Sequence, residues 1–364
     1  MKTSDFDYPL PESSIAQSPL RQRDLCRLCV IDRATGAVEH KRFKDLGDFL
    51  NPGDLLVLND TRVLRCRIPC VKEASGGAME IFLLDPPQPA RPDARAFRAF
   101  FKPARRAKVG SLLRPSRHPE AGCFKVLAQN GEEGGSVEWL GQNGQALDAA
   151  LLENLGVVPL PPYIKRERFP SAELTRLDAR YYQSVFAKAG GSAAAPTASL
   201  HFSRALLARL QKRGIDMARV TLHVGAGTFL PVKTEILEAH PMHSEPFILP
   251  DETVKKILET KRRHGRVIAV GTTVVRVLET AFDKNLVPVL THGDTRLFLK
   301  PGATFNVVDA LVTNFHQPKS TLLALVSAFY TTEKLLNIYA ECLKQRYRFL
   351  SYGDAMFIHG NKAF

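Results

Sequence analysis

Apolar positions along the chain change rhythm twice. Up to Asn59 they form strand-length runs, Leu25–Ile31 and Asp54–Leu58, divided by the loop signal Asn51-Pro52-Gly53. From about Thr61 to Asn143 the runs are short: Ile81–Leu84, Phe97–Phe101, Cys123–Ala128 and Ser136–Leu140. Turn signals such as Gly76-Gly77, Pro86-Pro87, Lys108-Val109-Gly110 and Asn130-Gly131 separate them. That texture predicts a small antiparallel sheet or barrel. Pro159–Pro162 reads as a stiff connector.

Beyond the connector the spacing becomes helical. Arg204–Leu210 follows a capping Ser203 and stops at Gly214. Asp251–His264 is acidic at its start, basic at its end and closed by Gly265, while Leu322–Phe329 begins behind Pro318, which suits a first helical position. Between these helices lie the apolar strands Val220–Val224 and Val267–Val270. Helices alternating with buried strands predict a mostly parallel-sheet α/β domain. The expected organisation is a discontinuous catalytic α/β domain, residues 1–60 plus 151–364, interrupted by an inserted antiparallel β-barrel domain at 61–150. No period of 20–50 residues repeats, which argues against a solenoid.

Composition adds a compartment and a partner. Of the 364 residues 45% are hydrophobic and 24% charged, ordinary globular usage. No apolar run reaches the roughly 18–20 residues of a membrane span. Met1–Leu10, with Asp5, Asp7 and Pro9, is no secretory signal. A cytoplasmic protein is expected. Lys and Arg number 50 against 37 Asp and Glu, a net charge of +13 that favours a polyanionic partner, nucleic acid above all. Six cysteines in a chain this long do not make a disulfide scaffold. Cys26 and Cys29 fall on opposite faces of a strand, which suits buried structural roles better than a zinc knuckle.

In α/β sheets ligands collect at the carboxyl ends of strands, and three such ends carry chemistry here. His223-Val224-Gly225-Ala226-Gly227-Thr228-Phe229 puts Thr221 and His223 on the face opposite Val220, Leu222 and Val224. It reads as a ligand-contacting loop. A dinucleotide fingerprint fails because Leu230 and Pro231 follow. Gly271-Thr272-Thr273 opens a helix and suits either an anion or a simple threonine cap. Asn314-Phe315-His316-Gln317-Pro318-Lys319-Ser320-Thr321 clusters His316, Lys319 and Ser320 at another helix start, without the glycines of a phosphate loop. In His240-Pro241-Met242-His243-Ser244-Glu245 the proline prevents a helical ligand pair. His243 and Glu245 are then acid/base groups or a solvated pair, and no metal is expected.

Longer blocks carry a resemblance. They are Asp5-Phe6-Asp7-Tyr8, Gly53-Asp54-Leu55-Leu56-Val57-Leu58-Asn59-Asp60-Thr61-Arg62, Pro159-Leu160-Pro161-Pro162-Tyr163-Ile164, and Ala195-Pro196-Thr197-Ala198 with Leu200-His201-Phe202. Thr221–Phe229, Met242–Glu245, Ala269–Thr273, Thr313–His316 and Ser351–Met356 continue the series. Together they resemble the S-adenosylmethionine:tRNA ribosyltransferase-isomerase family of queuosine biosynthesis, almost end to end; the insertion at about 86–150 matches least. The resemblance implies transfer of the ribosyl portion of S-adenosylmethionine onto 7-aminomethyl-7-deazaguanine at the tRNA wobble position. The sugar is isomerised to give epoxyqueuosine, and adenine and methionine leave. S-adenosylmethionine is then a consumed co-substrate, with no metal or redox cofactor.

On that basis His223 or His316 is expected as acid/base, and Glu245 or Asp354 to steady positive charge. Asn59, Asp60, Thr61, Arg62, His201, Gly225, Gly227, Thr228, His243, Thr272, Thr273, Arg276, Asn314, Lys319 and Ser320 are expected to bind substrate. Lys102, Arg105, Arg106 and Lys108, with Lys165, Arg166 and Arg168, are expected to meet the tRNA anticodon loop. A monomer is expected. Three positions depart from the family: Ser199 and Tyr330 stand in place of glycine, and Gln317 in place of leucine. At positive φ, Ser199 would constrain a ligand-contacting loop. A non-catalytic tRNA-binding relative and a methyltransferase are the competing readings.

Overall fold

The computed structural model describes residues 1–87, 94–131, 134–167, 171–225 and 232–360. Arg168, Gly227, Thr228, Leu230 and Pro231, singled out above, lie outside the described residues. The strands in chain order begin with β1 (Arg27–Asp32), β2 (Val38–Arg42), β3 (Leu55–Asn59) and β4 (Thr61–Val63). There follow β5 (Arg67–Lys72), β6 (Ala78–Leu83), β7 (Ala96–Lys102), β8 (Leu112–Pro115), β9 (Gly122–Gln129) and β10 (Gly135–Gly141). The last are β11 (Ala189–Ser192), β12 (Asp216–Leu222), β13 (Glu245–Ile248), β14 (Val267–Val270), β15 (His292–Thr295), β16 (Ala310–Asn314) and β17 (Ala355–His359). The helices are α1 (Ala149–Leu155), α2 (Ala172–Tyr181), α3 (Arg204–Lys212), α4 (Asp251–Arg262), α5 (Thr272–Ala281), α6 (Thr321–Phe329) and α7 (Thr332–Lys344).

Among the described residues, a nine-stranded sheet has the order β15-β13-β12-β3-β14-β16-β17-β1-β2, and β10-β7-β6-β5-β8-β9 close into a barrel. The sheet is mixed. β12, β3, β14 and β16 run parallel through its centre, and β1 runs parallel to β17, whereas β13, β15, β17 and β2 join antiparallel to a neighbour. Its central strands are apolar on both faces because helices cover both. In β3, Leu55 and Val57 enter one core while Leu56 and Leu58 enter the other. Cys26 and Cys29 divide between the same two cores, as their spacing predicts.

Barrel strands bury alternate residues. Met79, Ile81 and Leu83 of β6 and Phe97, Ala99 and Phe101 of β7 face inward around Trp139. Leu147, Leu152 and Leu155 join that core, so α1 packs on the barrel. Thr61–Val63 instead pairs with Ala189–Ser192 outside it. No described helix is long and apolar enough to cross a membrane.

Helix ends differ from expectation in two places. After α4 the left-handed residue is His264, at φ +59°. Gly265 is required for another reason: a Cβ there would lie 2.4 Å from the Gly53 carbonyl oxygen. Pro318 is not the first residue of α6. Lys319 turns the chain at φ +53°, and Ser320 caps the helix by accepting from the Leu323 amide at 3.2 Å. Ser203 caps α3 in the expected way, at 3.0 Å from the Leu206 amide.

Candidate active site

Strand direction assembles the site. β3, β12, β14 and β16 all end at one edge of the sheet, and the antiparallel β13 and β17 begin there. Asn59–Thr61, His223–Gly225, Glu245, Gly271–Thr273, Asn314–His316 and Asp354 therefore converge from distant parts of the chain. A cleft opens at this edge. Thr272, Thr273, Asn314, His316 and Ser320 line it, as do Tyr163, Thr197, Gln317 and Ser351.

Two helices point their amino ends at this cleft. Gly271, at φ +96°, takes the cap position of α5, so Thr272 is the first helical residue and not the cap. Across the cleft the Ser320 hydroxyl also donates to the Gln317 carbonyl at 2.8 Å. Unpaired amides and the helix dipole make such ends favourable for a carboxylate or phosphate.

Asn59 ties the neighbouring strands together. Its Oδ1 accepts from the amides of Thr61 and Leu222, both at 3.1 Å, while its amide nitrogen donates to Leu222 O at 3.0 Å and Thr273 Oγ1 at 3.3 Å. Asp60 accepts from Thr221 Oγ1 at 2.6 Å. Both residues are buried and shape the loop from within.

The three histidines differ in environment. His223 is half-buried, with Nδ1 2.8 Å from Thr61 Oγ1. Burial lowers its pKa, and the charge of Asp60 opposes the shift. His316 lines the cleft with Nε2 2.9 Å from Thr313 Oγ1, and its burial holds the pKa down to about 3. Tyr8 donates to the His316 carbonyl, and the His316 amide donates to the Tyr339 hydroxyl at 3.1 Å. His201 lies behind the cleft wall, pushed down to about 3 by burial and then by the charge of Arg348. Asn314 Nδ2 donates to His201 Nε2 at 2.9 Å and to Leu350 O at 3.1 Å. The other His201 nitrogen therefore faces Cys26 Sγ, at 3.2 Å, as a donor. Asn314 Oδ1 is buried without a protein partner, in a residue of the cleft wall.

Other expected residues are committed elsewhere. The Arg276 guanidinium is buried and bonds Glu245 and the carbonyls of Leu297 and Thr295, at 3.0 and 3.2 Å. Glu245, buried at 3% exposure, also accepts from the Gly225 amide at 3.1 Å. Asp354 accepts from the amides of Arg27 and Arg348, at 2.8 and 2.7 Å, and does not line the cleft. Burial nonetheless raises its pKa. Lys319 pairs with Asp7 at 2.8 Å, Arg62 lies 3.6 Å from Glu153, and His243 is exposed.

On the outer surface, Lys102, Arg105, Arg106 and Lys108 are exposed on the barrel. Lys165 is exposed and pairs with Glu12 at 2.7 Å. Arg166 departs from expectation. Its guanidinium grips Asp178 with two bonds of 2.8 Å and is only 11% exposed, so it ties its segment to α2. Ser199 departs too: it sits in the short helix Thr197–His201, outside the positive-φ region, and no strain arises there.

Tyr163, Thr197, Gln317 and Ser351 are cleft residues outside the expected binding set, although Tyr163, Thr197 and Ser351 fall in the family-like blocks. Tyr163 and Ser351 contact each other at 2.7 Å through their hydroxyls, a pairing invisible at their distance in sequence. Gly191 packs against the His223 ring, and its Gly190-Gly191 doublet is a signal of such close backbone approach.

A family profile described as "Queuosine biosynthesis protein" matches residues 3–358. The chain is 46% identical over 359 residues to the S-adenosylmethionine:tRNA ribosyltransferase-isomerase of Acetivibrio thermocellus. It is 47% identical over 358 residues to the protein of the same name from Carboxydothermus hydrogenoformans. Each alignment covers 98% of this chain and 100% of the relative. Among solved structures, the S-adenosylmethionine tRNA ribosyltransferase of Thermotoga maritima is similar at 33% identity and a TM-score of 0.53, over 98% of this chain and 100% of that one.

Proposed function

The chain belongs to the queuosine biosynthesis protein family, and from that premise we propose that it is an S-adenosylmethionine:tRNA ribosyltransferase-isomerase. It moves the ribosyl portion of S-adenosylmethionine onto 7-aminomethyl-7-deazaguanine at the tRNA wobble position and rearranges the sugar to the epoxycyclopentanediol of epoxyqueuosine. Adenine and methionine are the released products. The observation that carries this reading is the end-to-end identity of 46–47% with relatives of that name. The cleft supports it, because the family-like blocks meet there around two helix amino ends.

The sulfonium makes the adjacent C5′–H acidic, and adenine must gain a proton to leave as a neutral base. His223 serves in this proton chemistry. Its Nδ1 is engaged by Thr61, which leaves Nε2 to exchange the proton. His316, kept neutral by burial, orients the ligand by hydrogen bonding and does not donate as an acid. Glu245 and Arg276 hold the His223–Gly225 segment through the Gly225 amide, and Asp354 fixes the 348–354 turn. Thr272 and Thr273, at the start of α5, receive the methionine carboxylate. The basic barrel face, Lys102 to Lys108, meets the anticodon arm, and the enzyme acts as a cytoplasmic monomer.

One assay decides among readings. The full chain is incubated with S-adenosylmethionine and tRNA carrying 7-aminomethyl-7-deazaguanine, and the small products are separated. Adenine with methionine is expected. S-adenosylhomocysteine would replace the reading with a methyltransferase, and tRNA binding without any product would replace it with a binding module.

A further inference from the structure

Where α7 packs beside β1 and β2, the core gathers soft ligand atoms outside the cleft lining. β1 and β2 are antiparallel with Cys29 directly opposite His40, which puts both side chains on one face. The last turn of α7 brings Cys342 to the same place. Both thiols are fully buried and His40 is half-buried. One ligand atom from each residue lies within 4.8 Å of the other two, and among the described residues no other trio of His, Cys, Asp or Glu side chains does this.

The surroundings are built for the imidazole. His40 Nε2 faces Glu341 Oε1 at 3.1 Å, and Nδ1 faces the Tyr347 hydroxyl at 2.7 Å. The Gln345 amide, 2.9 Å from both His40 Nε2 and Glu341, completes this shell and is held by Arg27 at 3.0 Å. Carboxylate, amide and hydroxyl partners around the ring hold its orientation, as the outer partners of a metal-bound histidine do.

We propose that Cys29, His40 and Cys342 bind a single Zn²⁺ through two thiolate sulfurs and one His40 ring nitrogen, with the Tyr347 hydroxyl or a water in the fourth position. Zinc takes tetrahedral sulfur and nitrogen ligands at about 2.3 and 2.0 Å, which requires ligand atoms about 3.5–3.8 Å apart. Small shifts of these side chains reach that spacing. Binding expels both thiol protons, so two thiolates neutralise the ion, and soft sulfur ligands select against Mg²⁺ and Ca²⁺. The ion would clip α7 onto the β1–β2 pair.

The test uses the full chain, purified with a phosphine reductant, stripped with chelator, loaded with Zn²⁺ or Co²⁺ and desalted. One retained equivalent of metal, a thiolate-to-cobalt charge-transfer band and a higher unfolding temperature are expected. Cys342→Ser should abolish the band. His40→Ala, on an exposed strand, keeps the test valid if the serine variant fails to fold; it should weaken binding by more than roughly tenfold, a drop that even changes to groups behind a ligand reach. Absence of the band in wild type, or equal zinc retention by wild type and both variants, would overturn the site.

Discussion

Gly191 lies against the ring of His223. A Cβ at residue 191 would stand 2.8 Å from Cε1 and 2.9 Å from both ring nitrogens. Its φ of +144° is also one that side-chain-bearing residues avoid. Gly191→Ala must therefore move the imidazole, the backbone or both. Adenine release should fall at least tenfold, with a smaller loss of thermal stability. Unchanged turnover would show that the ring position is not tied to catalysis.

Thr61→Val keeps the β-branched shape and removes only the hydroxyl facing His223 Nδ1. The expected result is a kcat lowered about tenfold, a displaced pH–rate profile and an unaltered KM for S-adenosylmethionine. A raised KM at constant kcat would instead place Thr61 on the substrate.

Arg166 and the barrel arginines should separate cleanly. Arg166→Ala strands the 8%-exposed Asp178 carboxylate, to which Tyr352 also donates at 3.3 Å. A cost of about 3 kcal/mol is expected, visible in urea unfolding. Replacing Lys102, Arg105, Arg106 and Lys108 together with alanine should leave the unfolding curve in place. It should weaken tRNA binding and flatten its salt dependence by roughly 0.7–0.9 for each phosphate no longer neutralised. Full tRNA affinity in that variant would remove the barrel face from the interface.

Acid should destabilise the fold through its buried histidines. His201 and His316 are held down to about 3, whereas an unfolded chain protonates them near 6.5. Between those values the unfolded state binds more protons, so stability falls as pH falls. The slope approaches about 1.4 kcal/mol per pH unit for each group. Urea midpoints measured from pH 7 to 5 should drop, and His201→Gln should flatten the curve. Parallel curves for the two proteins would rule out a share for His201.

Sequence was most legible where one period ran unbroken. Val267–Val270 is apolar throughout and forms β14 with those bounds. The barrel strands Arg67–Lys72 and Leu112–Pro115 escaped notice because one face of each meets solvent. Pro69 interrupts the first, with its carbonyl accepting from Ser116 at 2.8 Å. In the site, strand-end histidines, threonines and asparagine announced themselves by type and position. What could not be read was which side chains turn inward. Glu245 and Arg276 look like ligand-facing charges until the fold sets a strand start against α5, where each neutralises the other. Arg166 likewise looks like a surface cation until α2 supplies Asp178.

The place of β17 has a consequence for biosynthesis. It lies between β16 and β1, matching Leu28 to Ala355 on one side and Asn314 to Ala355 on the other. As the ribosome extends the chain, the β1–β2 hairpin must wait with an open edge until residues 355–359 have emerged. Pairings so distant are slow to close and leave sticky intermediates exposed. The finished enzyme can thus appear only after translation has passed that strand, and a nascent chain halted before it would carry the histidines and threonines without a working catalyst.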